Sequence, residues 1–386
     1  MRVLFYSTIF PRPWNPIRGI YCFHVCRSLV QLGHEVRVVS PLSWLERAGA
    51  PTSLPGLSEL NVEYPPYVYP PRVLQSAHDV FMAISSRRTM KRVMGELRPD
   101  CLLSYWAHPD GAVAARFAHG AQIPSGVIVG GSDVLVLARH AGRRRRSVVR
   151  ALRSSDAVIT VGRQLADTVE GLGIPASKVH VVYQGVDDAL FSPGPATEAR
   201  QRLGIPEGGK VLVSVGNLLP VKGVDVLLEA MVRLAARRSD VRLYLVGDGA
   251  SRGDLEALAA RLGLMSVTRF VGKVAQSALP DWYRAADLTV LASRSEGVPN
   301  VLRESLACGT PFVATRVGGV HEIAAGTTNR LVPPEDPSAL SNAIAESLAE
   351  ARGPFTTEGL LTWQQSTQQI LNVLERARSS DRRNET

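Results

Sequence analysis

Short apolar runs alternate with amphipathic stretches along almost the whole chain. In the first half the runs fall at residues 2–7, 35–40, 101–104, 126–129, 157–161 and 179–182, with a weaker one at 60–64. They are too short for helices and rich in Val, Ile and Leu, which predicts strands buried on both faces. Between them, helical periodicity covers 20–32, 75–97, 110–119, 144–153 and 164–172. The second half repeats the alternation, with strands at 211–215, 241–246, 267–271, 288–291, 312–314 and 330–332. Its helices fall at 224–237, from the turn after 249 to 262, and at 276–284, 337–348 and 361–377. Strict strand–helix alternation predicts an α/β chain of two doubly wound, Rossmann-like parallel-sheet domains, residues 1–183 and 199–360. A Gly-, Pro- and Asp-bearing stretch at 184–198 reads as the linker, and the polar tail 378–386 is expected to be disordered. In such sheets ligands bind beyond the carboxyl ends of the strands, so the segments following strands carry the candidate chemistry.

The most informative of these segments runs Ser295-Glu296-Gly297-Val298-Pro299-Asn300-Val301-Leu302-Arg303-Glu304-Ser305-Leu306-Ala307-Cys308-Gly309. A loop and then a short helix are predicted. Pro299 suits the first helical turn, Val301, Leu302, Ser305, Leu306 and Ala307 form an apolar face, and Gly309 stops the helix. The unpaired N–H groups near Asn300, Val301 and Leu302 attract an anion such as a phosphate. Glu296 and Glu304 bracket that anion site, and carboxylates accept hydrogen bonds from sugar hydroxyls. A ligand with a central diphosphate and a sugar at each end satisfies both features. A solvated loop with two surface glutamates explains these residues equally well when they stand alone.

Charge changes the picture in the first half. The net charge is +9, and residues 1–190 hold 22 Lys and Arg against 14 Asp and Glu, so nearly all of the excess lies there. Much of it clusters at Arg87, Arg88, Lys91, Arg92 and Arg98, and at Arg143, Arg144, Arg145, Arg146, Arg150 and Arg153. Such a face attracts nucleic acid, anionic lipid headgroups or an acidic substrate, unless it is only a solvated helix face. No apolar run reaches the roughly 18–20 residues of a membrane span. The N-terminus reads as a first strand rather than a signal peptide. Cys22, Cys26, Cys101 and Cys308 form no CxxC pair, which predicts a reduced, cytoplasmic setting.

Other strand-end segments add candidates. Gly216 and Asn217 open a turn that leads to Lys222 at a helix start, where an ammonium can face a diphosphate or simply sit at the surface. Gly272, in Phe270-Val271-Gly272-Lys273, can bring backbone against a nucleobase. Gly318-Gly319 is a phosphate-compatible loop or a plain turn, and Gly247-Asp248-Gly249 reads as turn chemistry. In the first half, Gly19 closes a Pro-rich loop and offers backbone amides to an anion, and His108 ends a strand, where a lone His is more often structural. Gly131 and Asp133 end the next strand. Walker, GxGxxG, DxD and HExxH patterns are absent, so neither a nicotinamide cofactor nor a metal is indicated.

Several of these segments together resemble the family 4 retaining nucleotide-sugar glycosyltransferases, which have the GT-B fold of two Rossmann-like domains facing a cleft. The likeness runs from residue 2 to about 377. Its strongest element is the Glu-x7-Glu pair Glu296 and Glu304, supported by GNLLPVKGVDVLLEA, LVGDG, FVGKV, ACGTPFVATRVGGVHEI, LVPPEDPSAL and QGVDDALF. The resemblance implies a donor UDP- or GDP-sugar bound mainly by the second domain, with no cofactor and no metal. Glu304 takes the ribose hydroxyls and Glu296 the sugar hydroxyls. Lys222 and the amides near Asn300, Val301 and Leu302 hold the diphosphate, with Gly19 against it, and His108 contacts the sugar near the reacting carbon. It further implies a glycan or lipid-linked saccharide acceptor on the first domain, with Gly131, Asp133, Arg143 and Arg144 as candidates, and a last helix packing back on that domain. Polysaccharide or glycoconjugate synthesis follows, in the cytoplasm or peripherally on the inner face of a membrane, with an anionic membrane surface and no nucleic acid as partner. A sugar-nucleotide epimerase, or a non-catalytic membrane- or polyanion-binding protein, is the alternative on the same scaffold. The sequence departs from the family at Asn217, where an Arg is usual, and at Gln184 and Arg330; Arg294, Arg303 and Arg316 are candidates to supply the missing charge.

Overall fold

The computed structural model describes all residues except 16–17, 47–55, 71–73, 139–141, 326, 351–358 and 384–386. It divides into two compact units, Met1–Gly185 with Leu361–Thr386, and Val186–Leu360.

The strands of the first unit are β1 (Arg2–Tyr6), β2 (Glu35–Val39), β3 (Leu42–Ser43), β4 (Asn61–Glu63), β5 (Pro66–Tyr67), β6 (Cys101–Tyr105), β7 (Ser125–Val129), β8 (Ala157–Thr160) and β9 (Val179–Val181). Seven of them form one parallel sheet in the order β4-β2-β1-β6-β7-β8-β9, while β3 and β5 pair separately. Its helices are α1 (Ile20–Gln31), α2 (His78–Leu97), α3 (Ala112–Gly120), α4 (Ser132–Leu135), α5 (Arg143–Ser154) and α6 (Arg163–Gly171). Within the second unit lie α7 (Ala196–Leu203), β10 (Lys210–Val215), α8 (Val224–Ala235), β11 (Val241–Val246), α9 (Arg252–Arg261) and β12 (Thr268–Gly272). They are followed by α10 (Leu279–Ala285), β13 (Leu288–Leu291), α11 (Asn300–Ala307), β14 (Phe312–Thr315), α12 (Val320–Ala324), β15 (Arg330–Val332) and α13 (Pro337–Ala349). Its six strands are parallel in the order β12-β11-β10-β13-β14-β15. Each sheet reverses strand order beside its first strand, the position where a doubly wound sheet opens a crevice at its carboxyl edge.

The strand pattern explains the burial. In the second unit Leu212, Leu243 and Leu245 face one core with α8 and α13, while Val211, Val213, Tyr244 and Val246 face another with α10. This period-two division is what a parallel sheet covered on both faces requires.

Two expectations need correction. The stretch 184–198 is not a bare linker: Val186 and Phe191 are buried in the second unit, Phe191 lies edge-on to Tyr283, and α7 begins at Ala196. The segment expected to be a disordered tail is helical through Arg383, because α14 (Trp363–Arg383) is one continuous helix. That helix belongs to the first unit. The Trp363 ring stacks on His24 at 5.0 Å, the Ser366 hydroxyl donates to the Tyr183 carbonyl at 2.7 Å, and Ile370, Leu371 and Leu374 are buried. Gly126 in β7 makes room for it, since a β-carbon there would lie 2.7 Å from a Leu374 methyl.

Leu374→Ala is therefore expected to lower the stability of the first unit by about 2–5 kcal/mol, the range for emptying a buried leucine site. Asn372→Ala, on the exposed side of the same helix, should change little; thermal or urea unfolding compares the two.

Candidate functional site

In the second unit the turns after β10, β11 and β12 are fastened to each other by backbone. Gly247 donates to the Gly272 carbonyl at 2.9 Å, Leu218 to the Asp248 carbonyl at 3.0 Å, and Ser251 to the Leu218 carbonyl at 3.0 Å. The approach is close enough that a β-carbon on Gly247 would sit 1.9 Å from the Gly216 oxygen, and one on Gly249 would sit 2.4 Å from the Leu218 oxygen. The Gly272 carbonyl is thus spent on a turn-to-turn bond, which leaves Gly272 a structural reason of its own. Asn217 is exposed at the rim of this cluster.

The next turn carries Lys222, on the 220–222 turn that leads into α8. Gly223 must be glycine there, because its φ is 60° and a β-carbon would meet the Ala292 oxygen at 2.1 Å. That contact sets the Lys222 turn directly against the loop after β13. Arg294 completes the junction. Its amide donates to the Val221 carbonyl at 2.8 Å and its guanidinium grips both Asp225 oxygens at 2.8 and 2.7 Å, with Glu335 as a further partner. Fully engaged in this way, Arg294 does not supply the charge missing at Asn217. Arg303 is buried, which leaves Arg316 exposed among the three arginines considered.

Lys222 and Glu296 meet across this junction. The Lys222 Nζ lies 2.6 Å from Glu296 Oε1, and the Ser293 hydroxyl donates to the same oxygen at 2.6 Å. The Glu296 loop is held from behind by Gly318 and Gly319. Gly319 donates to the Gly297 carbonyl at 2.7 Å, and a β-carbon on Gly318, at φ 55°, would be 2.0 Å from the Glu296 oxygen. The glycine pair is therefore a clasp on the acid loop: Gly318 takes backbone that only glycine adopts without strain, and a β-carbon on Gly319 would lie 2.8 Å from a Val298 methyl.

Beyond the loop, Pro299 caps α11 in an extended conformation rather than occupying its first turn. Leu302 is fully buried and its amide already donates to the Pro299 carbonyl at 3.3 Å, so Leu302 is not available to an anion as expected. The amides of Asn300 and Val301 have no protein partner among the described residues. An ammonium and two open amides near a helix start favour an anion. One turn on, Glu304 accepts from the Tyr283 hydroxyl at 2.9 Å. Burial pushes the Glu304 carboxyl up to about 7, against the opposing pull of Tyr283 and Arg303.

The first unit fastens its strand-end loops with buried carboxylates instead. Asp110 accepts from the Thr8 amide at 3.1 Å and the Thr8 hydroxyl at 2.9 Å, joining the loops after β6 and β1. Asp133 accepts from the Ala107 amide at 3.0 Å and the Gly131 amide at 2.9 Å, joining the loops after β6 and β7. Burial raises Asp110 to about 7 and Asp133 to about 6. Asp133 is fully buried, with its two oxygens turned inward onto the Ala107 and Gly131 amides rather than exposed at the strand end. His108 lies between these staples, with its Nε2 3.3 Å from Asp79 Oδ1. Burial works against the Asp79 carboxylate, but the His108 contact together with the Asp79 and Val80 backbone amides holds Asp79 below its ordinary range. Gly19, at φ 61°, starts α1 and packs so closely that a β-carbon would lie 2.4 Å from the Ile9 oxygen. Arg143 and Arg144 are exposed in the first turn of α5.

The structure thus brings Lys222, Glu296, Asn300, Val301 and Glu304 to one edge of the second sheet, and Gly19, His108 and Gly131 to the corresponding edge of the first. The sequence does not point to Tyr283 as part of the site, and Gly318-Gly319, a phosphate-compatible loop or plain turn by sequence, holds the acid loop. Among the described residues no group of His, Cys, Asp or Glu is arranged to hold a metal ion.

Comparisons with known proteins bear on the family and the fold. A family model described as Glycosyltransferase Family 4 matches residues 19–190, and one described as Glycosyl transferases group 1 matches residues 209–350. A D-inositol 3-phosphate glycosyltransferase of Thermobispora bispora is 38% identical over 224 residues, 54% of this chain and 52% of that protein. The chain therefore spans about half the length of such curated relatives. A Bacillus subtilis protein named for teichuronic acid biosynthesis is 28% identical over 89% of this chain and 88% of its own. Among solved structures, Anabaena HepE in complex with UDP and glucose aligns with a TM-score of 0.75 at 21% identity, covering 97% of this chain and 99% of that one. Sucrose-phosphate synthase from Thermosynechococcus elongatus aligns at 0.76 and 20%, covering 98% and 99%. These structural likenesses establish the shared GT-B fold.

If Gly318 is the clasp, Gly318→Ala should displace the acid loop and lower the melting temperature of the second unit. Gly253→Ala, in α9 with nothing within 4 Å of its new β-carbon, should be neutral or stabilising by about 0.5–1 kcal/mol. Calorimetric scans of both variants check the contrast.

Proposed function

Since the chain belongs to the family 4, group 1 glycosyltransferases, we propose that it moves a sugar from a UDP- or GDP-sugar to a glycan or lipid-linked acceptor with retention of anomeric configuration. The observation that carries this reading is the Lys222–Glu296 pair at 2.6 Å, with Glu296 on the loop that runs directly into α11, whose Asn300 and Val301 amides are open. A diphosphate seated on those amides competes for the Lys222 ammonium. Lys222 then faces the phosphates, and the Glu296 carboxylate, still held by Ser293, is released to accept sugar hydroxyls. As the glycosidic bond breaks, negative charge grows on the departing diphosphate, and the ammonium and amide dipoles are already aimed at it. No metal is required for that stabilisation. Glu304 accepts from the ribose hydroxyls, with Tyr283 fixing its orientation.

The relatives named for an inositol phosphate and for teichuronic acid, together with the basic first unit, favour an acceptor bearing anionic groups, approached by Arg143 and Arg144. We place the enzyme in the cytoplasm or peripherally on the inner face of a membrane, in polysaccharide or glycoconjugate synthesis.

Lys222→Ala and Glu304→Ala are each expected to cut donor turnover at least about 100-fold while the protein melts cooperatively. Wild-type rates in either variant contradict the site. The raised carboxyl at Glu304 adds a pH test. Ribose binding needs the ionised form, so below about pH 7 the ligand must expel a proton. Nucleotide affinity should then fall by up to about tenfold per pH unit as pH drops from 7 toward 5. Glu304→Gln should remove that slope, and calorimetry in buffers of different ionisation enthalpy should detect the released proton in wild type only.

A further inference from the structure

The first unit exposes a cluster of large apolar side chains that its core does not use. Ile84 is 68% exposed, Val68 59%, Leu74 53% and Trp44 52%, and Val80 is also exposed. Backbone and side-chain bonds place them side by side. The Val68 amide donates to the Ser85 hydroxyl at 3.3 Å, which sets Val68 next to Ile84 on α2. The Trp44 indole donates to the Tyr69 carbonyl at 3.2 Å, beside Val68. Leu74 heads the turn that enters α2, its carbonyl accepting from the Ala77 amide at 2.8 Å.

Cations surround this cluster on two sides. Along α2 the exposed stripe continues from Val80 and Ile84 to Arg87, Arg88 and Lys91, at helical spacings of three and four. On the other side the Ser147 hydroxyl of α5 donates to the Ser76 carbonyl at 2.9 Å, so the exposed Arg143 and Arg144, four and three residues before Ser147 on the same helix face, approach the same turn. Asp79 is the one acid between residues 74 and 95, and it is engaged by His108.

We propose that this surface seats on an anionic lipid bilayer, with Ile84, Val68 and Trp44 entering the headgroup boundary and the α2 and α5 cations meeting lipid phosphates. The inference deepens the peripheral-membrane part of the reading above and rests on it. The exposed aliphatic centre distinguishes a bilayer from a soluble polyanion, because Ile and Val gain nothing from a phosphate but gain from leaving water at the acyl boundary. An exposed tryptophan whose N–H is satisfied by backbone suits the headgroup level. Among the described residues no helix is long and apolar enough to cross a membrane, so the contact is one that lies on the bilayer.

The test uses the full chain with vesicles of phosphatidylcholine alone or mixed with phosphatidylglycerol. Cosedimentation with the anionic vesicles only is expected. The triple variant Arg87→Gln, Arg88→Gln, Lys91→Gln should weaken partitioning about 100-fold or more, at about one kcal/mol per cation. The pair Val80→Ser, Ile84→Ser should weaken it about tenfold or more. Brominated lipid should quench part of the wild-type tryptophan emission, and Trp44→Phe should abolish that quenching. Equal binding to both vesicles, no quenching, unchanged partitioning of the Val80 and Ile84 variant, or capture by soluble heparin without vesicle binding would each overturn the proposal. A nucleotide-induced melting shift measured without lipid separates the readings: its loss counts against the donor site, and its persistence beside failed vesicle binding counts against this surface alone.

Discussion

The ion pair between Lys222 and Glu296 is the interaction on which the second unit's candidate site depends. At 2.6 Å the two side chains hold each other, so a ligand that engages either one must first break the pair. A short buried-edge ion pair is a poor source of net stability, since desolvation cancels much of the attraction. Its use here is positional. The ammonium is kept at the lip of a helix start, and the carboxylate is kept extended on a loop that Ser293 and Gly319 hold from two sides. Arg294 sustains the arrangement from outside by bolting the Lys222 turn to Asp225 and Glu335.

The two units solve one problem by different chemistry. Loops at the carboxyl edge of a parallel sheet must stay in register with each other without strand hydrogen bonds. In the second unit they touch backbone to backbone, and the cost is a set of positions that admit no β-carbon: Gly223, Gly247, Gly249 and Gly318. In the first unit Asp110 and Asp133 reach between loops and accept the stray amides, and the cost is burial that lifts both carboxyls toward neutrality. Their folded pKa values lie above the unfolded value, so the stability these staples contribute is fullest at low pH and declines as pH rises toward 6 to 7. Carboxylates paired with a cation, such as Asp225 beside Arg294, act in the opposite sense.

Much of this was legible in the sequence because it is local. The strands are continuous apolar runs, and the acid pair sits on one loop and one helix joined in sequence. What escaped was either too weakly patterned or too distant. α7 buries only Ala199, so its polar sequence carries no periodic signal, and its first turn falls within the stretch 184–198 that reads as linker. The end of α14 is polar and exposed, yet continues a helix already anchored by Leu371 and Leu374. Tyr283 lies 21 residues before Glu304, and Arg294 lies 69 residues from Asp225, separations that no spacing rule connects. Asp133 looked like a strand-end acid open to ligand, because a sequence does not distinguish a carboxylate that faces outward from one that turns inward to collect amides. Asn217 is exposed at the rim of the strand-end turns, and Arg316 is the one of the three candidate arginines that is exposed.

The central claim is that the edge carrying Lys222, Asn300, Val301 and Glu304 is a nucleoside-diphosphate seat. Calorimetric titration of the full chain with UDP and with GDP tests it most directly. Saturable binding of at least one of them at a single site is expected, weakening as salt screens the ammonium. No measurable affinity for either nucleotide, in a protein that melts cooperatively, would contradict it.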